Sequence, residues 1–142
     1  MVFMLAAGAE NVVSMHISAA LSGTWESAVL AAQDFGYGTV RVLDSRSTGA
    51  ALGVAGAAAA KVAREGGTAA QVQGAAVSTI DRTRTHFYVD TLEYLRRGGR
   101  VGAAAALLAT SLSVKPLLHM LDGQIMPMEK VRTSAKALAR LV

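Results

Sequence analysis

The sequence predicts an α/β chain: part of a three-layer domain built on a parallel sheet, followed by the start of an α+β domain. Three observations predict it. Residues 1–84 run strand–helix–strand–helix at the spacing of parallel pairing with right-handed crossovers. After about residue 84 the pattern turns to a strand, short helices and a hairpin. Hydrophobic residues make up 52% of the 142-residue chain and charged residues 17%, the balance of a globular protein.

The elements follow in order. "NVVSMHIS" (11–18) is a short apolar run entering a Ser/Gly turn and reads as a buried strand. Trp25, Ala28, Val29 and Ala32 recur at helical spacing, which predicts a helix from about Gly23 to Asp34. "TVRVLD" (39–44) is the second strand. A helix of small residues follows over Gly49–Arg64, closed by Gly66-Gly67, and Thr68 with Gln71 forms a capping box that opens a helix to about Thr79. "THFYVDTLEYL" passes from a strand into a short helix that Gly98-Gly99 ends, and "VGAAAALLATSL" predicts a second one. Two runs then flank Asp122-Gly123, a hairpin signal, with Pro116 and Pro127 confined to edges or strand ends. Thr133 opens a last helix. The division is residues 1–84 as the parallel part and 85–142 as the α+β part. Two parallel strands do not complete a three-layer domain, so the expectation is that partner chains complete it or that this is a piece of a longer polypeptide.

Composition narrows the chemistry. Without cysteine there is no disulfide, thiolate metal site or thiol nucleophile. The opening "MVFMLAAGAENVV" has an apolar run but no basic residue before Arg41, and the longest uncharged stretches are too short and too rich in Ala and Gly to span a bilayer. The expectation is a soluble, cytoplasmic protein with no membrane-spanning segment. The net charge of +4 is uneven, with Arg96, Arg97 and Arg100 as its densest cluster. Nucleic-acid binders carry a broader basic stripe with interleaved aromatics, so a local anion or partner site fits better than nucleic acid.

Ligands of parallel sheets sit outside the carboxyl ends of the strands, which singles out the loops 18–24 and 44–48. Ser22 reads as a nucleophile, an anchor for an anionic group, or a helix cap. No G-x-S-x-G elbow, zinc spacing, P-loop or G-x-G-x-x-G occurs, and His16, His86 and His119 lie in or beside apolar runs. No catalytic residue and no metal ligand is assigned. Ser22-Gly23-Thr24 at a helix mouth combines hydroxyl donors with free backbone N–H groups, a fit for a carboxylate or phosphate; an ordinary N-cap is the bland alternative. Arg96 and Arg97 complement a helix C-terminus, whereas Arg100 lies past the glycine turn, where a guanidinium reaches an anion or stays solvated. Asp44 and Asp90 close strands; either caps a helix, binds a metal or holds an arginine, and with no carboxylate cluster nearby capping or pairing is the favoured reading.

Together "ISAALSGTWESA", "VRVLDSRSTGAALG", "HFYVDTLEYLRRGGRVG", "SVKPLL" with "DGQIMP", and "KVRTSAKAL" resemble the DegV family of bacterial fatty-acid-binding proteins, over about residues 11–142. The resemblance implies a two-domain carrier of roughly twice this length, which holds a long-chain fatty acid between its domains. It implies that Ser22, with Gly23 and Thr24 beside it, binds the carboxylate, and that Arg100, the last Arg of R-G-G-R, faces a partner fatty acid kinase. That kinase makes the acyl phosphate used in phospholipid synthesis. The ligand is the fatty acid; no cofactor is implied. Relative to the family pattern, the chain starts after the first strand and a T-S-Q-P-like stretch and stops before a C-terminal histidine. A serine-dependent acyl hydrolase, using His16 or another base against Ser22, and a non-catalytic interaction domain docking through 96–100 are the alternatives.

Overall fold

The computed structural model describes residues 1–107 and 115–141. The chain divides into two compact units, Met1–Thr83 and Arg84–Val142.

In the first unit, β1 (Val12–His16) and β2 (Val40–Asp44) pair in parallel, with Val12 opposite Val40 and His16 opposite Asp44. Alternation places Val13, Met15, Arg41 and Leu43 on one face and Val12, Ser14, His16, Val40, Val42 and Asp44 on the other. Val13, Met15 and Leu43 of the first face pack on Ala59, Val72, Ala76 and Val62. These come from two helices in contact, α3 (Gly49–Arg64) and α4 (Ala69–Arg82). Ala51, Ala55 and Ala59 are the buried stripe of α3 at four-residue spacing, and Ala59 packs with Val72 and Ala76 of α4. The α3–α4 junction is set locally. Gly67 donates its N–H to the Val62 carbonyl at 2.9 Å, Gly66 takes a left-handed φ of 81°, and the Thr68–Gln71 capping box is complete. α4 continues past the expected Thr79 to Arg82. The helix expected from Gly23 is α2 (Thr24–Ala32), which packs on both strands with Gly23 as its N-cap.

One element was not expected. Val2–Ala6 forms a single-turn helix, α1. Its apolar run carries neither a cap nor a periodicity that separates a helix this short from a strand.

In the second unit, β3 (His86–Tyr88), β4 (Lys115–Leu121) and β5 (Gln124–Val131) form an antiparallel sheet in the order β3-β4-β5. Asp122 and Gly123 join β4 to β5 with φ values of 49° and 80°, the left-handed pair of a type I′ hairpin. Pro127 sits at a register shift in β5, an edge strand. Pro116 is in the central strand but at its start, where β3 does not reach. Both prolines thus sit where no ladder hydrogen bond is missed on two sides. Leu117, Val131 and Ala137 form the core with Tyr88 and Leu141, so α6 (Ser134–Leu141) closes on the sheet. Tyr88 also hydrogen-bonds Ser134 at 2.9 Å.

Between β3 and β4 lie α5 (Glu93–Arg97) and a 3-10 helix over Gly102–Leu107. The second of these was expected as an ordinary short helix. The correction has a physical cause: Gly102 turns left-handed with only 3.2 Å between an added Cβ and the Ile125 carbonyl, and Ala104 is fully buried. Tight i to i+3 winding fits that approach, as the Ala104 N–H to Val101 carbonyl bond shows. The rest of that expected helix, 108–112, and the lead into β4 at 113–114 lie outside the described residues. Among the described residues, no helix is long and apolar enough to cross a membrane.

Candidate functional site

At the carboxyl ends of β1 and β2 the two following loops are tied together. Ser18 donates its backbone N–H to the Ser47 carbonyl at 2.8 Å, and Ser45 donates to the His16 carbonyl at 3.1 Å. Asp44 Oδ1 accepts two backbone N–H groups, from Ala19 at 3.1 Å and Arg46 at 2.8 Å. Ser18, Ser45 and Ser47 are buried beneath these contacts. The Ser45 hydroxyl engages both the N–H and the carbonyl of Ser47, each at 3.2 Å. Arg46 takes φ 47°, which the Asp44 bond to its own N–H helps to hold, and its guanidinium pairs with Asp81 at 3.1 Å.

The expected site residues stand on this base. The Ser18 carbonyl accepts the N–H groups of Leu21 and Ser22, at 2.9 and 3.1 Å, which fixes the turn into α2. Ser22 Oγ accepts the Thr24 N–H and donates to Thr24 Oγ1, both at 3.3 Å. These bonds are longer than the usual range, about 2.7–3.2 Å for N–H···O and about 2.5–3.0 Å for O–H···O, so both hydroxyls are loosely engaged. The N-cap Gly23 supplies no side-chain cap, and an added Cβ there would meet nothing within 4 Å. Ser22, Gly23 and Thr24 thus stand at the mouth of α2, a polar end with the positive pole of a helix. Trp25 lies one residue further on, and its indole Nε1 is buried with no hydrogen-bond partner.

Each histidine has a neighbour within its own unit. His16 Nε2 hydrogen-bonds Ser14 Oγ at 2.8 Å, one of the two being the donor, while Ser22 Oγ engages Thr24. His86 and His119 are cross-strand neighbours in the second unit, with ring centroids 6.2 Å apart. Among the described residues no group of three or more His, Asp or Glu could hold a metal ion. An apolar groove of about 860 Å³ in the first unit is lined by Met15, Leu52, Gly56, Ala59 and Val72, among others. Ser22, Gly23 and Thr24 do not line it.

In the second unit the R-G-G-R segment is a complete helix stop. Gly99, at φ 63°, donates to the Arg96 carbonyl at 3.0 Å and Arg100 N–H donates to the Leu95 carbonyl at 2.7 Å. Those are the two bonds of a Schellman motif. Arg96 and Arg97, expected to complement the helix C-terminus, do lie in the last turn but spend their guanidinium groups on Glu93. Arg96 grips it through two bonds of 3.0 and 2.9 Å, and Arg97 Nε donates at 2.8 Å. The Arg96 bonds, then Arg97, hold the Glu93 carboxyl below its ordinary range against the opposing effect of desolvation. Arg100, beyond the turn, is exposed and folds its guanidinium back onto the Gly98 carbonyl. Asp90 pairs as expected: Tyr88 donates its hydroxyl to it and Lys115 lies 3.6 Å away.

A family model described as "Uncharacterised protein, DegV family" matches residues 2–142. The chain belongs to the DegV family. The DegV domain-containing protein of Streptomyces coelicolor is 52% identical over 134 residues, which are 94% of this chain and 47% of that one. Among solved structures, a DegV family protein from Thermus thermophilus, described for its fatty acid binding, superposes with a TM-score of 0.86 at 37% identity, over 95% of this chain and 48% of that one. A DegV family protein from Corynebacterium glutamicum gives a TM-score of 0.90 at 35% identity, over 98% and 53%. The mixed α/β architecture with its parallel sheet is therefore the DegV fold. The chain spans about half the length of the curated DegV relatives it matches.

Ser18, Ser45 and Ser47 lie in the two loops that the sequence singles out, but their burial beneath the LSGT turn was not expected. The signal was present in D-S-R-S: two serines spaced by one residue directly after a strand are poised to bond their own backbone.

Proposed function

We propose that this chain is part of a fatty-acid-binding carrier, which holds a long-chain fatty acid with its carboxylate at the Ser22-Gly23 turn. The observation that carries the reading is the loosely engaged pair of hydroxyls, Ser22 and Thr24, at a helix mouth whose N-cap residue, Gly23, has no capping side chain. A carboxylate brought there gains charge-assisted hydrogen bonds and the favourable end of the helix dipole. Gly23 leaves room for close approach. Acyl-chain burial supplies the rest of the driving force, about 0.8 kcal/mol per CH₂ before ordering costs. The fatty acid binding described for the Thermus relative supports the same reading.

On this proposal residues 1–84 are the C-terminal part of the parallel first domain and 85–142 the N-terminal part of the α+β second domain of a cytoplasmic protein. The carrier presents its ligand to a fatty acid kinase, which forms the acyl phosphate; Arg100 faces that kinase or the phosphate. The chemistry belongs to the kinase, and no residue of this chain is assigned a catalytic role.

The test is mass spectrometry of solvent extracts from a version of the chain extended at both ends to the length of its relatives, beside its Ser22→Ala and Arg100→Ala variants. Stoichiometric fatty acid that Ser22→Ala depletes and Arg100→Ala spares supports the assignment. Fatty acid absent from the unsubstituted protein overturns it.

A further inference from the structure

We infer that Asp44 is the positioning residue of the Ser22 site: its carboxylate fixes the turn that presents the hydroxyls and takes no part as a ligand itself. The inference rests on the proposed carboxylate site, and its geometry is independent of any ligand.

Asp44 ends β2, and a parallel neighbour, His16, ends β1. Beyond them the chains run into separate loops that two backbone bonds still join, Ser45 N–H to the His16 carbonyl and Ser18 N–H to the Ser47 carbonyl. Asp44 Oδ1 adds a side-chain tie to these. It accepts the Ala19 N–H of the first loop at 3.1 Å and the Arg46 N–H of the second at 2.8 Å. One oxygen therefore joins its own loop to one 25 residues away in sequence. From Ala19 the restraint passes through a short chain of bonds. The neighbouring Ser18 is pinned to the Ser47 carbonyl at 2.8 Å, and its own carbonyl holds the Ser22 N–H at 3.1 Å. The Ser22 hydroxyl in turn meets the Thr24 N–H.

The bonds at Ser22 and Thr24 are long, so the hydroxyls cannot hold their own turn firmly. The firm contacts lie one step back, at Ser18 and Asp44. An ionised acceptor makes hydrogen bonds roughly twice as strong as a neutral one, which suits a group that must hold two loops from one point. Two N–H dipoles directed at Asp44 also offset part of its negative charge, so an anion bound at the turn is repelled less than by a bare carboxylate.

Asp44→Asn, Asp44→Ala and Ser22→Ala in the extended chain test the role, read by retained fatty acid and by amide hydrogen exchange over 18–24. The amide oxygen of the asparagine variant keeps an acceptor for the Ala19 N–H, and the methyl group of the alanine variant keeps none. The expected result is retention within about twofold of the unsubstituted protein for Asp44→Asn and a loss of about tenfold for Asp44→Ala, with exchange at Ala19 and Ser22 faster by about tenfold in the latter while the β1 amides stay protected. A folded Asp44→Ala that retains as much fatty acid as the unsubstituted protein, while Ser22→Ala is empty, overturns the inference. If Asp44→Ala does not fold, Asp44→Asn decides: retention with a protected loop supports positioning, and a folded but empty protein overturns it. If the unsubstituted protein carries no fatty acid, the proposed function fails, and the exchange rates still tell whether Asp44 holds the turn.

Discussion

Ser18 donates its N–H to the Ser47 carbonyl at 2.8 Å, so the contact between the β1 and β2 chains continues past their last paired residues, His16 and Asp44. That contact converts two loops into one platform, with Ser45 at its centre. Ser45 is fully buried, and its single hydroxyl serves both polar groups of Ser47.

Ser45→Ala removes that hydroxyl from a fully buried position. The expected cost is about 1–3 kcal/mol, the range for disturbing a buried hydrogen bond. Urea unfolding followed by far-ultraviolet circular dichroism measures it. A midpoint unchanged from the unsubstituted protein, at the same slope, would show that the platform does not depend on Ser45.

Two glycines of the first unit predict opposite outcomes for the same substitution. A Cβ on Gly67 would lie 2.5 Å from Val62 Cγ1 and 2.9 Å from the Val62 carbonyl oxygen, inside the tight return that ends α3. Backbone cannot retreat cheaply, so Gly67→Ala is expected to destabilise by about 1–3 kcal/mol. Gly74 stands inside α4 with nothing within 4 Å of its added Cβ. Gly74→Ala is expected to stabilise by about 0.5–1 kcal/mol, since alanine has less backbone entropy to lose. Thermal melts of the two variants should move in opposite directions, and a shared direction would contradict this account.

The same junction shows what was legible beforehand. α3 was readable to its last residue because its stop is written locally, in Gly66-Gly67 and the Thr68–Gln71 box. The β4–β5 turn was readable for the same reason, Asp122-Gly123 being a left-handed pair. α1 was not, because five apolar residues carry no period. The winding at Gly102–Leu107 depends on the approach of the Ile125 carbonyl, a partner far along the chain that no local pattern reveals. The site divides along the same line. Ser22-Gly23-Thr24 at a helix mouth follows from neighbouring residues, whereas the Asp44 bond to Ala19 follows from the register of two parallel strands, which the sequence does not spell out.

Glu93 yields a prediction whose sign follows from its partners. Arg96 with two bonds, and then Arg97, favour the ionised carboxylate, so its folded-state pKa lies below the ordinary value of 4.5. A lowered carboxylate pKa stabilises the folded form at pH above 4.5, and that contribution is lost as the pH falls through the folded value. The pairs are solvent-exposed, so the effect is small and salt weakens it further. NMR titration of the Glu93 side-chain carboxyl should give a midpoint below 4.5 that rises in Arg96→Gln and rises less in Arg97→Gln. The order matters, because Arg96 holds both carboxylate oxygens whereas Arg97 holds one that Arg96 already engages. Equal rises would mean that charge alone, and not the two-bond geometry of Arg96, sets the titration.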